Sequence, residues 1–330
     1  MNGTITAAEL RHELVRRQLI EPSADNVPDT TDGRPWFISL VLGASGWLAG
    51  VCVLAFASTL FEPESPVAVA VMGLVLLAAA FALYAVDRDS QFFDQFALAL
   101  SIAGQFAMVW AAHGATDSDA TTAAATCAMQ VLLLFAMPNP FAKTIAAFFA
   151  CCAWALTVRF AWWGSSTHDD AAQVALAPAL IGWFIVWLPI IGATHALINN
   201  ESRWMPGAAR RIARPALTGL LISLSLATWI SEPFDSLMFW NDQPQKNWLA
   251  LWPLLGAAGA LLAAIYAFRL RSRALIGIAS VGALLHVGQF YYLLGLTLLT
   301  KSCIMVALGV LGLLTATWLQ RRGSEQEVAT

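Results

Sequence analysis

Ten long apolar runs follow one another along this chain, near residues 36–61, 66–86, 92–113, 120–137, 141–163, 171–198, 213–231, 248–268, 274–295 and 299–319. A helix of ~20 apolar residues crosses the hydrocarbon layer of a bilayer. Inside lipid no water satisfies backbone N–H and C=O groups, so a spanning segment closes its own hydrogen bonds as a helix or joins a barrel. Runs of this length predict an all-α fold: a polytopic membrane helix bundle of about ten transmembrane helices. Composition agrees, with 58% hydrophobic residues and only 12% charged, where soluble domains carry about 25% charged. Fourteen tryptophans fit a chain with two lipid–water interfaces to anchor at. Pro178 and Pro189 predict a tilt or kink in the run at 171–198. The run at 120–137, rich in Ala and Thr, carries the weakest apolar signal.

The basic residues test this count. Cytoplasmic loops hold the excess of Lys and Arg. With the N-terminus inside and ten alternating spans, the inner segments hold Arg11, Arg16, Arg17, Arg34, Arg88, Lys143, Arg203, Arg210, Arg211, Arg214, Arg269, Arg271, Arg273, Arg321 and Arg322. That is fifteen of eighteen, leaving Arg159, Lys246 and Lys301 toward the outside. The outer loops "EPES", "GATDSD" and "GSSTHDD" have no basic residue. Both termini are therefore expected in the cytoplasm.

Three regions follow: a cytoplasmic N-terminal helix and linker (1–35), a transmembrane domain (36–319) and a cytoplasmic tail (320–330). No signal peptide is visible, because a polar segment precedes the first apolar run and that run is too long for an h-region. Thr6 and Glu9 form a capping box ahead of a helix whose Leu10, Leu14 and Val15 share one face. That helix either docks on a protein surface or rests on the anionic inner leaflet. The longest outer loop, 231–248, mixes acids with Phe234, Phe239 and Trp240. It reads as an interfacial anchor, with a binding lid as the alternative.

Polar residues inside the apolar runs are the candidate functional residues. Lys301, with Ser302 beside it, interrupts the last run near its outer end. The ammonium either snorkels to the headgroups or turns inward to a partner. In the preceding span His286, Gln289 and Tyr292 recur at three-residue spacing, which places them on one stripe. Arg159 and Gln105 approach from the fifth and third spans. An outward-facing polar cavity of Gln105, Arg159, His286, Gln289, Tyr292, Lys301 and Ser302 is one reading. Plain helix–helix hydrogen bonding is the other. On the inner side Asp94, about one turn into the third span, is a candidate proton or cation site, or a carboxylate complementing its helix dipole.

Recognisable chemistry is sparse. Cys52, Cys127, Cys151, Cys152 and Cys303 all lie in apolar runs, without CxxC pairing or zinc spacing, and read as small packing residues. There is no GxSxG, HExxH or carboxylate pair, and "THDD" (167–170) reads as a solvated turn. No cofactor or metal is implied. No basic patch with interleaved aromatics points to nucleic acid. An enzyme is not expected.

Four stretches carry a family resemblance: "RPWFISLVLGASGWLAG" (34–50), "SQFFDQFALALSIAGQ" (90–105), "MPNPF" (137–141) and "FYYLLGLTLLTKSCIMVALGVLGLL" (290–314). They resemble the bacterial membrane family called domain of unknown function 4401. The last block is the most specific. The family pattern there is a Tyr-Tyr pair, a Leu-rich turn and Lys-Ser, filled here by Tyr291, Tyr292, Lys301 and Ser302. The turn usually carries an acid, and this chain has none in "LLGLT". The resemblance implies no activity and no catalytic residues. It implies as partners other multi-span membrane proteins and a small GDYxxLxY-type protein, since genes for such proteins typically lie beside the family's own.

The leading expectation is a structural or assembly component of a bacterial inner-membrane or envelope complex. The alternative is a secondary transporter or channel. Ten spans divide as five plus five, which would invert one half relative to the other, but no convincing repeat links residues 36–163 with 171–318.

Overall fold

The computed structural model describes residues 36–61, 65–86, 91–163, 176–205, 207–231, 251–293 and 298–328, together with Glu13, Arg16 and Arg17. Glu13 pairs with Arg16 at 3.2 Å and Arg17 at 3.0 Å, and the rest of the expected N-terminal helix lies outside the described residues. The loops at 164–175 and 232–250, with "THDD" and most of the aromatic outer loop, also lie outside them.

Among the described residues the protein is helical throughout, and helices occur where apolar runs predict them. They are α1 (Trp36–Phe61), α2 (Pro66–Val86), α3 (Gln91–Thr116), α4 (Asp119–Ala136), α5 (Pro140–Trp163) and α6 (Leu176–Asn199). After these come a short α7 (Glu201–Trp204), α8 (Arg210–Leu226) continued by a 3-10 turn (Ala227–Ser231), α9 (Pro253–Arg269), α10 (Arg273–Leu293) and α11 (Leu298–Val328). Seven are long and apolar enough to cross a membrane: α2 to α6, α8 with its 3-10 turn, and α10. Apolar stretches in α1, α9 and α11 are shorter. Large apolar side chains face outward, with Trp110 73% and Leu284 70% exposed. Such a surface belongs in lipid, and the chain is a membrane-embedded helical protein.

Local chemistry sets several boundaries. "MPNPF" ends one helix and starts the next. The Met137 N–H closes α4 on the Leu133 carbonyl. Asn139 Oδ1 then accepts the Phe141 and Ala142 N–H groups at 2.7 and 3.3 Å, capping α5, with Pro140 at its first position. Helix α6 runs through Pro189 without ending there.

Helices α1 and α2 both pack on α3. The α2–α3 crossing is close because Gly73 and Gly104 meet: a Cβ on Gly104 would lie 2.8 Å from the Gly73 carbonyl oxygen. Small residues allow backbones to approach where lipid gives no hydrophobic drive for association. Helix α4 leans on α5 and links this group to a second one centred on α8. Leu217, Leu221 and Leu224 of α8 pack with Trp187 of α6 and Tyr266 of α9. Hydroxyls in this core return to their own helix: Ser223, Ser225 and Thr194 each bond the carbonyl four residues back.

Candidate functional site

Helix α10 carries His286 and Gln289 inward, 1% and 4% exposed. Both find partners on the 3-10 turn after α8. His286 Nε2 lies 2.7 Å from Thr228 Oγ1. Trp229 Nε1 donates to Gln289 Oε1 at 2.5 Å. The Trp229 and His286 rings meet edge to face, 4.9 Å between centroids. Gly256 of α9 leaves room for the imidazole: a Cβ there would lie 2.5 Å from its Cε1 and Nδ1. Among the described residues the buried Nδ1 atom has no hydrogen-bond partner. This cluster ties α8, α9 and α10 together.

A second polar group lies between α3 and α4. Gln130 Nε2 donates to Gln105 Oε1 at 2.7 Å, and Gln105 Nε2 donates to Ser101 Oγ at 2.9 Å. All three side chains are buried. The two glutamines border a cavity of about 410 Å³ between α3, α4 and α5, whose other walls include Phe106, Phe148, Phe160 and Ile230. Its lining is largely apolar, and among the described residues the buried Gln130 Oε1 has no hydrogen-bond partner.

The remaining sequence candidates are dispersed. Tyr292 is 75% exposed, so it does not continue the His286–Gln289 face. Each three-residue step falls about 60° short of a full turn, so two steps swing the side chain away from the starting face. Lys301 is half-buried with Nζ 5.0 Å from the centroid of the Tyr291 ring, a cation–π contact. The Tyr291 face thus supports the lysine. Ser302 is exposed on α11. Arg159 is half-buried in α5, with no ion pair to it among the described residues. Of the polar residues expected to line one cavity, Gln105 lies with Ser101 and Gln130, His286 and Gln289 with Thr228 and Trp229, and Lys301 beside Tyr291.

Asp94 sits in the first turn of α3 and accepts from Asn139 Nδ2 at 3.3 Å. It borders a cleft of about 990 Å³ at one end of the bundle, with Tyr84, Lys143, Arg210, Arg211 and Arg214. Lys143 is only 7% exposed, and its Nζ lies 3.4 Å from the Arg211 carbonyl oxygen. Pro215 explains that acceptor. It has no N–H to return to the carbonyl four residues back, so the Arg211 oxygen lacks its helical donor. At the far end of α6, His195 Nδ1 lies 3.1 Å from Tyr266 Oη and its Nε2 lies 2.7 Å from Asn199 Nδ2, joining α6 to α9.

Sequence reasoning did not find Thr228, Trp229, Tyr84 or the role of Lys143. Thr228 and Trp229 read as the end of an apolar run, and only the proline at 215 hinted at an open carbonyl for Lys143. Among the described residues no three His, Cys, Asp or Glu side chains gather as a metal site would need.

Residues 35–322 match the family described as Domain of unknown function (DUF4401). No curated protein and no solved structure matches the chain.

Proposed function

We infer a role from family and packing together: the chain belongs to the family described as Domain of unknown function (DUF4401), and it serves as a structural or assembly component of a bacterial inner-membrane complex. It is not an enzyme. Both termini lie in the cytoplasm, as the distribution of arginines argues. Its partners are the lipid bilayer, other multi-span membrane proteins and a small GDYxxLxY-type protein. No nucleic acid is bound.

The observation that carries this reading is the exposed apolar face of α11. Among the described residues this helix meets the bundle at Phe290 through Ile304 and Met305 and at Tyr291 through Lys301. Leu299 is 78%, Val306 67% and Leu313 68% exposed. Gly309 and Gly312 have open space where a Cβ would stand. Small residues on a membrane helix let another helix approach closely, and among the described residues none does so at these two. A photo-crosslinking amino acid at Leu313 in native membranes tests the reading. It is expected to trap a second membrane protein, while the same probe at the exposed Leu132 of α4 traps only lipid. Equal, diffuse crosslinking at both positions would contradict it.

The cavity beside Gln105 and Gln130 favours the second reading, a transporter or binding protein for an apolar molecule that donates a hydrogen bond to Gln130 Oε1. Under that reading Gln105→Ala abolishes ligand binding while expression is retained.

A further inference from the structure

We propose that the cleft between the ends of α2, α3, α5 and α8 is a phosphate-binding site, and that the phosphate belongs to an anionic glycerophospholipid of the adjoining leaflet. Four cationic side chains border it, Lys143, Arg210, Arg211 and Arg214, against one carboxylate among the described residues, that of Asp94. Among the described residues none of the four is ion-paired to an acid. Asp94 is itself engaged by Asn139.

The excess of positive charge at this end follows from the inward placement of arginines in membrane proteins. That tendency accounts for exposed arginines at a helix end. It does not account for the burial of two polar groups facing the same cleft. Lys143 is 7% exposed and Tyr84 5%. The Lys143 ammonium has three N–H donors and, among the described residues, one acceptor, the Arg211 carbonyl oxygen. Among the described residues the buried Tyr84 hydroxyl has no hydrogen-bond partner. A buried donor without an acceptor is destabilising, and a phosphate oxygen supplies acceptors to both.

The helix ends reinforce the argument. Lys143 lies in the first turn of α5, and Arg210 and Arg211 open α8, with no acid in the first turn of either helix. A helix N-terminus carries partial positive charge and favours an anion there, not a cation. Cations at two such ends, facing one cleft, repel both dipoles until an anion lies between them. Basic pockets between membrane helices on the cytoplasmic side recognise anionic headgroups by this chemistry. The cleft opens where a headgroup lies, at the end of the spans.

Full-length protein in nanodiscs tests this. Nanodiscs of phosphatidylcholine alone are compared with discs containing phosphatidylglycerol, with and without millimolar inorganic phosphate, and bound lipid is read by native mass spectrometry beside the thermal midpoint. The wild type is expected to retain phosphatidylglycerol preferentially and to melt higher with it. Arg210→Gln and Arg214→Gln, both at exposed positions that need not disturb folding, are each expected to weaken retention about fivefold. Tyr84→Phe keeps the packing and removes only the hydroxyl, and a smaller loss is expected. Stabilisation by inorganic phosphate that adding phosphatidylglycerol does not increase would uphold the phosphate site and assign it to a soluble ligand. Equal retention of both lipids, no response to phosphate, or arginine variants indistinguishable from wild type would overturn the proposal.

Discussion

Gln130 of α4 donates to Gln105 of α3 across 2.7 Å, and both side chains are buried. Interhelical hydrogen bonds in membranes average about 0.6 kcal/mol and reach about 1.7. Substituting one partner leaves the other unsatisfied, which costs more than the bond itself contributes. Gln105→Leu and Gln130→Leu are each expected to destabilise by about 1–3 kcal/mol, and the double variant by less than their sum. A double-mutant cycle in unfolding measurements reads the coupling. Strict additivity would contradict the pairing.

Gly256 is expected to tolerate no side chain. A Cβ would lie 2.5 Å from the His286 ring and 2.8 Å from Thr228 Oγ1, inside a packed junction of three elements. Gly256→Ala should cost about 1–3 kcal/mol by overpacking. Gly277→Ala on α10, with nothing within 4 Å of its Cβ, should be neutral or slightly stabilising. Thermal midpoints of the two variants compare them directly.

Lys301 is expected to matter little for folding. Its cation–π contact with Tyr291 contributes about 0.5–1 kcal/mol at a partly exposed place. Lys301→Ala should therefore lower stability by no more than that, and Tyr291→Phe should keep the contact while Tyr291→Leu loses it. A transport site would behave differently, with activity lost in Lys301→Ala at unchanged stability.

Topology can be read by labelling whole cells with a membrane-impermeant maleimide in a background without native cysteines. Ser65→Cys, between α1 and α2, is expected to react, and Ala208→Cys, between α7 and α8, only after permeabilisation. Both positions are exposed. The reverse pattern would place the arginine-rich ends outside.

Much of the helical layout was legible because lipid imposes one rule on every span. The predicted limits 36–61 and 66–86 are those of α1 and α2, where Pro66 and the acidic "EPES" turn punctuate an otherwise unbroken apolar sequence. Which polar residues meet was not legible. His286 and Gln289 share a face by their spacing, as read, but their partners Thr228 and Trp229 lie some sixty positions earlier and carry no periodic signal. Tyr292 illustrates the limit of spacing arguments, since the three-residue stripe drifts off the face within two steps. The cationic cleft was hidden for another reason. Lys143, Arg211 and Tyr84 come from three separate helix ends, and each alone reads as ordinary inner-loop punctuation.

The central claim is that this chain works as a component of a larger membrane assembly. The most direct measurement is purification of the tagged, full-length protein from native membranes in mild detergent, with mass spectrometry of everything retained. The account predicts a stoichiometric membrane partner that is lost when Gly309 and Gly312 are replaced by leucine on α11. A chain that emerges alone, carrying a reproducible small apolar molecule lost in Gln105→Ala, would contradict it and point to the cavity between α3, α4 and α5 as a transport or binding site.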